Sequence, residues 1–320
     1  MSKDEIYKLI QNFLKKPPTI IWGSGATIPF GLPSMGDLRK KLEKIVPELK
    51  ENENLEKIIG EIADKQKFKE VKKIIWKTVY EKDICLMKRL YKDKNEGKPV
   101  KRMIEKFIEP HPQVLNIITT NYDRVLEYVL AINKYKFSDG FSGQNLSIFD
   151  ENNLKNKNII NLIKVHGSLN WFKSNEEIIF ISSINYEEII KNGSVIPLII
   201  APSKKKFEET YQEPFRTLIQ KSDEIINNSK SFFVVGFGFN DEHLTPKIDT
   251  RIKDDVPIVI ITKKATESCL EKLKLASKYV LIEENEASGA KFSYKNKDDN
   301  TTITIDKSIW KLENFMEDVL

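Results

Sequence analysis

The stretch TIIWGSGAT, residues 19–27, places a short β-prone run directly before a glycine-rich turn. Pro17 and Pro18 precede it and end a segment in which Ile6, Ile10 and Phe13 recur at helical spacing. A helix followed by a buried strand and then a glycine-rich turn is typical of the start of an α/β domain. We therefore expect a strand over residues 19–22 and a close backbone approach at the turn that follows.

The same order of strand, polar turn and helix recurs further along the chain. Helices are expected over about residues 211–226 and from about residue 242. Further strands are expected at five places: 114–118, 159–165, 195–200, 231–235 and 257–261. This alternation predicts an α/β fold, a Rossmann-like parallel sheet with right-handed crossovers.

The remaining segments complete the predicted organisation. Residues 34–108 show helical periodicity almost throughout, a hairpin is expected near residues 178–181, and the polar stretches 136–158 and 284–300 are expected to be loops. The predicted domains are a Rossmann domain (1–33 and 110–285), a helical insertion (34–109) and a C-terminal extension of hairpin and helix (286–320).

Composition excludes several classes of protein. The 320 residues include 52 Lys and Arg against 47 Asp and Glu, and these charges alternate along the helices, which disfavours direct binding of nucleic acid. No run approaches the roughly 20 apolar residues that span a bilayer, so a cytoplasmic protein that does not bind membranes is expected. Only Cys85 and Cys269 are present, which is too few for a four-thiolate zinc site.

Four polar or glycine-rich clusters each follow the carboxyl end of a predicted strand. They are Gly23-Ser24-Gly25, Asn121, His166-Gly167-Ser168 and Gly236-Phe237-Gly238. Ligands of open parallel sheets bind outside these strand ends, so the clusters predict a single site. The first cluster, with Ala26 and Thr27, would let the backbone approach a pyrophosphate, although Ile28 replaces the third glycine of the dinucleotide fingerprint. Taken alone, it is equally consistent with a plain strand-to-helix turn.

Other residues in these regions have structural alternatives. Asn121 and Asp123 could each cap the following helix, and a lone histidine such as His166 is usually structural. His111 and His243 are interpreted as structural, Trp171-Phe172 as core, and Lys204-Lys205-Lys206 as a solvated turn.

Taken in order, the clusters resemble those of the sirtuins. Gly23 to Thr27 followed by Gly31-Leu32-Pro33 is similar to the sirtuin glycine-rich loop with its Gly-Ile-Pro turn. Thr119-Thr120-Asn121-Tyr122-Asp123 is similar to Thr-Gln-Asn-Ile-Asp, His166-Gly167 to the catalytic His-Gly, and Gly236-Phe237-Gly238 to the late Gly-Thr-Ser loop. The resemblance spans roughly residues 19 to 262.

Departures from the sirtuin pattern narrow the resemblance. The chain has no cysteine between Cys85 and Cys269, where the deacylases carry a zinc module, and Ser34-Met35-Gly36 replaces Asp-Phe-Arg. Gly238 replaces a serine. Together with the helical insertion, these features resemble the zinc-less sirtuin-like NAD hydrolases of bacterial antiphage defence, which destroy NAD.

The resemblance implies NAD as substrate, no zinc, and Asn121 and His166 as catalytic residues. Asn121 would orient water and the ribose hydroxyls, and His166 would act as the base. The residues implied to bind NAD are Gly23, Ser24, Gly25, Ala26, Thr27, Pro33, Thr120, Asp123, Gly236, Phe237 and Gly238.

Rival functions remain open at this stage. An NAD-dependent deacylase would run the same first step, a sensor would bind NAD or ADP-ribose without turnover, and a scaffold subunit would keep only a vestigial site.

Only about sixty residues follow the Rossmann core, which is too few for a separate sensor domain of usual size. We therefore expect the NAD hydrolase activity to be controlled from outside the chain. The expected routes are a homo-oligomer or a hexameric DNA-translocating ATPase partner that contacts the helical insertion or residues 310–320. Either would order the loop 136–158 over the pocket.

Overall fold

Our computed structural model of the protein describes these residues: 2–50, 55–108, 114–142, 146–155, 160–174, 177–181, 195–203, 209–286, 288–297 and 299–320. His111 and Lys204 to Lys206, interpreted above as structural and solvated, lie outside these ranges.

A nine-stranded sheet forms the centre of the described part of the chain. With strands numbered in chain order, its spatial order is β3 (Phe137–Ser138), β5 (Ile160–Lys164), β2 (Asn116–Thr119), β1 (Thr19–Trp22), β9 (Phe232–Val235), β10 (Ile258–Ile261), β11 (Lys278–Glu284), β12 (Ala290–Asn296) and β13 (Asp299–Ile305). Neighbours from β3 to β11 are parallel, whereas β12 and β13 pair antiparallel. The predicted α/β fold with a large parallel sheet is confirmed.

Both faces of the central part of this sheet are covered, which explains why β9 and β10 are apolar at every position. Alternate residues of β1 enter opposite cores, with Ile20 and Trp22 in one and Ile21 in the other. One core is closed by α1 (Lys3–Phe13), α6 (Val125–Ile132) and α10 (Leu312–Asp318). The other is closed by α7 (Phe215–Asn228), α8 (Thr245–Lys253) and α9 (Glu267–Leu273).

The predicted helical character of residues 34–108 is confirmed over its described part. The helices are α2 (Met35–Leu42), α3 (Leu55–Glu61), α4 (Lys65–Lys92) and α5 (Lys98–Ile108). Helix α4 begins after Asp64, whose Oδ1 accepts hydrogen bonds from the backbone N–H groups of residues 66 and 67. The domain boundaries drawn around this layer stay predictions.

One predicted strand of the parallel sheet lies elsewhere. Residues 195–200 form β8 (Ile196–Ile199), which belongs to a second, four-stranded antiparallel sheet in the order β4 (Leu146–Ile148), β7 (Glu177–Ile181), β6 (Gly167–Ser174), β8. A short apolar run predicts a strand but does not tell which sheet it joins. The hairpin expected near residues 178–181 is confirmed as β6 and β7.

The two predicted loops also contain strands. Residues 136–158 include β3 and β4, and residues 284–300 include β12. In β12, Ala290, Phe292 and Tyr294 are buried while the residues between them are more exposed. The period-two pattern of a one-sided strand was therefore present, but the surrounding polar residues concealed it.

Candidate active site

The four clusters meet because their strands are neighbours in the sheet. Strands β9, β1, β2 and β5 lie side by side, and β1 is the point from which the chain order diverges in both directions. Such a switch point opens a crevice at the carboxyl ends of the strands. Here the crevice is a cavity of about 2270 Å³. It is lined by twelve residues of the predicted site: Ser24, Gly25, Ala26, Thr27, Pro33, Thr120, Asn121, Asp123, His166, Gly236, Phe237 and Gly238.

Gly23 does not line the cavity, and the glycines serve a different purpose from the one predicted. A Cβ at Gly23 would lie 2.3 Å from the carbonyl oxygen of Gly236, and one at Gly236, whose φ is 58°, would lie 2.2 Å from the nitrogen of Ala26. The glycines therefore let two protein loops touch. The amides of residues 25–27 all donate to backbone carbonyls of residues 23, 24 or 236, so they are not free to meet a phosphate.

Asn121 is held against the glycine-rich loop. The Thr119 hydroxyl donates to the Trp22 carbonyl (2.7 Å) and accepts the Asn121 amide (3.0 Å). Asn121 Nδ2 then donates to the Gly23 carbonyl (3.0 Å) and lies 3.5 Å from Thr27 Oγ1. The alternative role as a helix cap is wrong for Asn121, because α6 begins four residues later and its side chain points to another segment.

Asp123 is buried beneath the same turn. Its Oδ1 accepts the Val125 amide at 3.3 Å, which is the capping contact considered above. Burial raises the pKa of Asp123 to about 7, and the positive charge of Lys164 acts in the opposite direction. Lys164, itself 1% exposed, donates to the Asp123 carbonyl (2.5 Å) and to Glu127 Oε1 (2.6 Å).

His166 is fixed by its glycine neighbour and by β8. Gly167 has a φ of 85°, and a Cβ there would lie 2.0 Å from the Leu198 carbonyl oxygen. The His166 carbonyl accepts the Ile200 amide at 3.0 Å. The side chain is 6% exposed and lines the cavity, so it is withdrawn from bulk solvent yet faces the site.

Asp241 is a site residue that sequence reasoning missed. Its Oδ2 lies 2.9 Å from His166 Nε2, and its Oδ1 accepts the amides of His243 (3.0 Å) and Leu244 (3.1 Å). These amide contacts fix the carboxylate before α8 begins. The available signal was an acidic residue in the same loop as Gly236 to Gly238, since a loop that follows a strand of this edge can reach the crevice.

Several residues of this region are interpreted above as structural. Trp171 and Phe172 are fully buried in the core, as predicted, and His243 lies in the turn before α8.

Within the described ranges, no three His, Cys, Asp or Glu side chains are grouped to hold a metal ion. The expected lack of zinc stays a prediction. No helix that the structure describes is long and apolar enough to cross a membrane.

Residues 115–256 match a family model described as the SIR2-like domain. The chain therefore contains a SIR2-like domain. The matched range includes Asn121, His166, Gly236 and Asp241, whereas the glycine-rich loop of residues 23–27 precedes it. The SIR2-like domain therefore covers three of the four strand ends that build the cavity.

Two solved structures share the fold of this chain. One, from a study of the mechanism and regulation of Sir2 enzymes, is 14% identical with a TM-score of 0.50, covering 99% of this chain and 98% of its own. The other, a Sir2 homologue in complex with NAD, is 15% identical with a TM-score of 0.50, covering 88% of each chain. At identities this low, the structural likeness establishes the fold alone. No curated protein matches the chain.

Proposed function

We propose that the protein is an NAD glycohydrolase, which cleaves NAD into nicotinamide and ADP-ribose. The observation that carries the proposal is the meeting of two buried side chains, Asn121 and His166, in one cavity at the ends of neighbouring strands β2 and β5. The likeness to a Sir2 homologue solved with NAD supports NAD as the ligand.

The cavity suits a dinucleotide in size and lining. Its volume of about 2270 Å³ exceeds the roughly 300–1000 Å³ of common small-molecule pockets, which leaves room for two nucleotides. Because the amides of residues 25–27 and of Gly236 are used within the protein, the Ser24 hydroxyl and the backbone of residues 237 and 238 are better placed to meet phosphate oxygens. Lys263 and Lys264, after β10, line the same cavity and supply positive charge.

The leaving group of this reaction needs no acid catalysis. The bond between C1′ of the ribose and the nicotinamide nitrogen breaks with its electron pair on the nitrogen, so the cationic ring leaves as neutral nicotinamide. The protein must then stabilise an oxocarbenium-like ribose and direct a water molecule to C1′. As the water oxygen bonds to C1′, the water gives up a proton, which His166 accepts and passes to solvent.

The neighbouring side chains give each group a role. Asn121 Nδ2 is engaged by the glycine-rich loop, which leaves Oδ1 to accept hydrogen bonds from the ribose hydroxyls or the water. Asp241 sits beside His166 and offsets the positive charge that the imidazole acquires when it takes the proton. Asp123 also lines the cavity, where it would contact the carboxamide or the ribose.

Hydrolysis is preferred to deacylation because the cysteines cannot form the zinc module of the deacylases. Cys85 is exposed on α4 and Cys269 is buried in α9, in different parts of the fold. With the helical layer of residues 34–108, this supports the branch of sirtuin-like NAD hydrolases that deplete NAD in antiviral defence.

The test is to incubate the purified protein with NAD and to quantify nicotinamide and ADP-ribose. We expect Asn121→Ala and His166→Ala to lower the rate by about 100- to 1000-fold or more, the usual effect of losing a preorganised polar group. Asp241→Asn, which retains the shape but not the charge, should lower kcat by about 10-fold or more. Asn228→Ala, on the exposed end of α7, is the matched control.

Each outcome decides between the rival functions. Wild-type rates in the Asn121 and His166 variants would refute the catalytic assignment. Tight NAD binding without any product would indicate a sensor, and product formation that requires an acyl-lysine peptide would indicate a deacylase.

A further inference from the structure

Helix α4 reaches the site-bearing segments from outside the sheet. Trp76 Nε1 donates to the Leu169 carbonyl (3.1 Å), three residues beyond His166. Between three and four turns further along, Arg89 Nη2 donates to the Phe30 carbonyl (2.6 Å), three residues beyond the glycine-rich loop. Helix α4 therefore contacts the segment that follows β5 and the segment that follows β1. Between these two contacts it makes a third, with the segment that follows β2.

That third contact is made by Asp83, which lies between Trp76 and Arg89 on α4. Asp83 is fully buried and accepts four hydrogen bonds. Its Oδ1 accepts the backbone amide of Arg124 at 2.7 Å, and its Oδ2 accepts Arg124 Nε (2.9 Å), Arg124 Nη2 (2.6 Å) and the Tyr128 hydroxyl (2.6 Å).

The backbone contact gives Asp83 an uncommon task. Arg124 is the N-cap residue of α6, and its own side chain makes no capping hydrogen bond. The carboxylate of a different helix accepts the amide of the cap residue and so fixes the turn that runs from Asn121 to Arg124. The turn is thereby held on both sides, by α4 at Arg124 and by the glycine-rich loop at Asn121.

Stability alone does not account for the choice of an acid here. Asp83 lies on the inward face of α4 between Val79 and Leu86, where an apolar residue would continue the buried stripe. Replacing a buried ion pair by apolar residues of similar volume is often neutral or stabilising. An acid at this position is explained by the hydrogen bonds it makes to a defined backbone position.

We propose that Asp83 is a positioning residue, which holds the Asn121 turn in its reactive geometry from the helical layer. The inference rests on the proposed NAD hydrolysis. It assigns to α4 a part in the reaction although no residue of α4 would touch the reacting atoms. A displacement of about 1 Å in a catalytic group can lower a rate by about 100-fold, so loss of this contact should reduce kcat while leaving KM for NAD largely unchanged.

The experiment separates positioning from stability with two variants. The double variant Asp83→Leu with Arg124→Met removes both charges and keeps the volume, so no unpaired buried charge remains. It still removes the acceptor of the Arg124 amide and the Tyr128 hydroxyl, so it should fold with a lowered melting temperature, and kcat is compared well below that temperature. We expect its kcat to be about 10- to 100-fold lower, with KM within about threefold. Tyr128→Phe removes a single hydrogen bond and should lower kcat by about threefold. Glu81→Gln, at an exposed ion pair on the same helix, is the control and should change neither constant.

The outcomes are distinct. Wild-type kcat in both variants would overturn the inference, and if the double variant fails to fold, Tyr128→Phe decides alone. Hydrogen exchange gives a readout that does not depend on turnover: the Arg124 amide should exchange at least about 10-fold faster in the variants, while the amides of Gly23, Gly25 and Ala26 stay protected. If the wild-type protein shows no NAD hydrolysis, the proposed function fails, whereas this exchange still tests whether Asp83 holds the turn.

Discussion

Two buried charged clusters lie on either side of the Asn121 turn, and they are built differently. The Asp83 cluster, made of Asp83, Arg124 and Tyr128, matches one carboxylate to a guanidinium that grips it with two nitrogens. The Lys164 cluster contains one cation and three acids: Asp123, Glu127, Asp139 and Lys164.

This difference separates a fixed contact from one that can exchange protons. In the Lys164 cluster, burial raises the pKa of Asp123 and of Asp139 to about 7, and the charge of Glu127 adds to the effect in both. One ammonium group cannot neutralise three carboxylates, so protons on Asp123 and Asp139 complete the balance near neutral pH. The Asp83 cluster has no such excess of acid, and its carboxylate is held by three side-chain donor atoms and one backbone amide.

The largest effect is expected from Arg124→Met. The change leaves Asp83, which is 0% exposed, without its cation, and breaking a buried pair in this way destabilises proteins by about 3–5 kcal/mol. Urea unfolding monitored by circular dichroism measures the loss. Arg216→Met, which breaks an exposed pair with Glu213, should cost less than about 1 kcal/mol. Equal losses of unfolding free energy in the two variants would show that the buried Asp83 cluster contributes no more than an exposed ion pair.

A smaller effect is expected from Lys164→Met in the other cluster. The change removes two charge-assisted hydrogen bonds, to Glu127 and to the Asp123 carbonyl, but the acids left behind can take up protons. We therefore expect a loss of about 1.5–3 kcal/mol at pH 7, the range for a hydrogen bond to a charged group. Lys155→Met, at the exposed pair with Glu151, is the control. A loss as large as that of Arg124→Met would contradict the contrast between the clusters.

Neither cluster was predicted from the sequence, whereas the sheet and its four strand ends were. Runs such as residues 232–235 and 258–261 are apolar throughout because they are buried on both faces, and that signal is local. The clusters depend on side chains far apart in the chain, such as residues 83 and 124. One local sign existed: Asp83 interrupts an apolar stripe in α4 at an inward position.

The candidate site was predictable in place and less so in detail. Glycines and polar residues after strands marked Asn121 and His166, because ligands bind at those edges. The partner of Gly23 turned out to be Gly236, a contact between two loops that no spacing rule reveals. Asp241 was missed for the same reason. It follows β9 and His166 follows β5, so the two residues are far apart in sequence and come together only through the order of the strands.

The smallest effect is expected from Asp139→Asn, and it appears only as a dependence on pH. Asp139 Oδ1 accepts the Phe141 amide at 3.2 Å, a contact that an asparagine oxygen can keep. Because the folded-state pKa of Asp139 is raised to about 7, its contribution to stability is complete below the unfolded value of 3.8 and is lost as the pH rises toward 7.

The asparagine does not titrate, so the variant should gain stability relative to wild type as the pH rises. Each unit of pKa shift corresponds to about 1.4 kcal/mol, so we expect a relative gain of about 1 kcal/mol or more between pH 5 and pH 8. Asp150→Asn, at an exposed loop carboxylate, is the control. Unfolding free energies measured at four or five pH values would test the sign: a relative loss of stability toward pH 8 would mean that Asp139 is held as a carboxylate, and that the Lys164 cluster, like the Asp83 cluster, is a fixed set of charges.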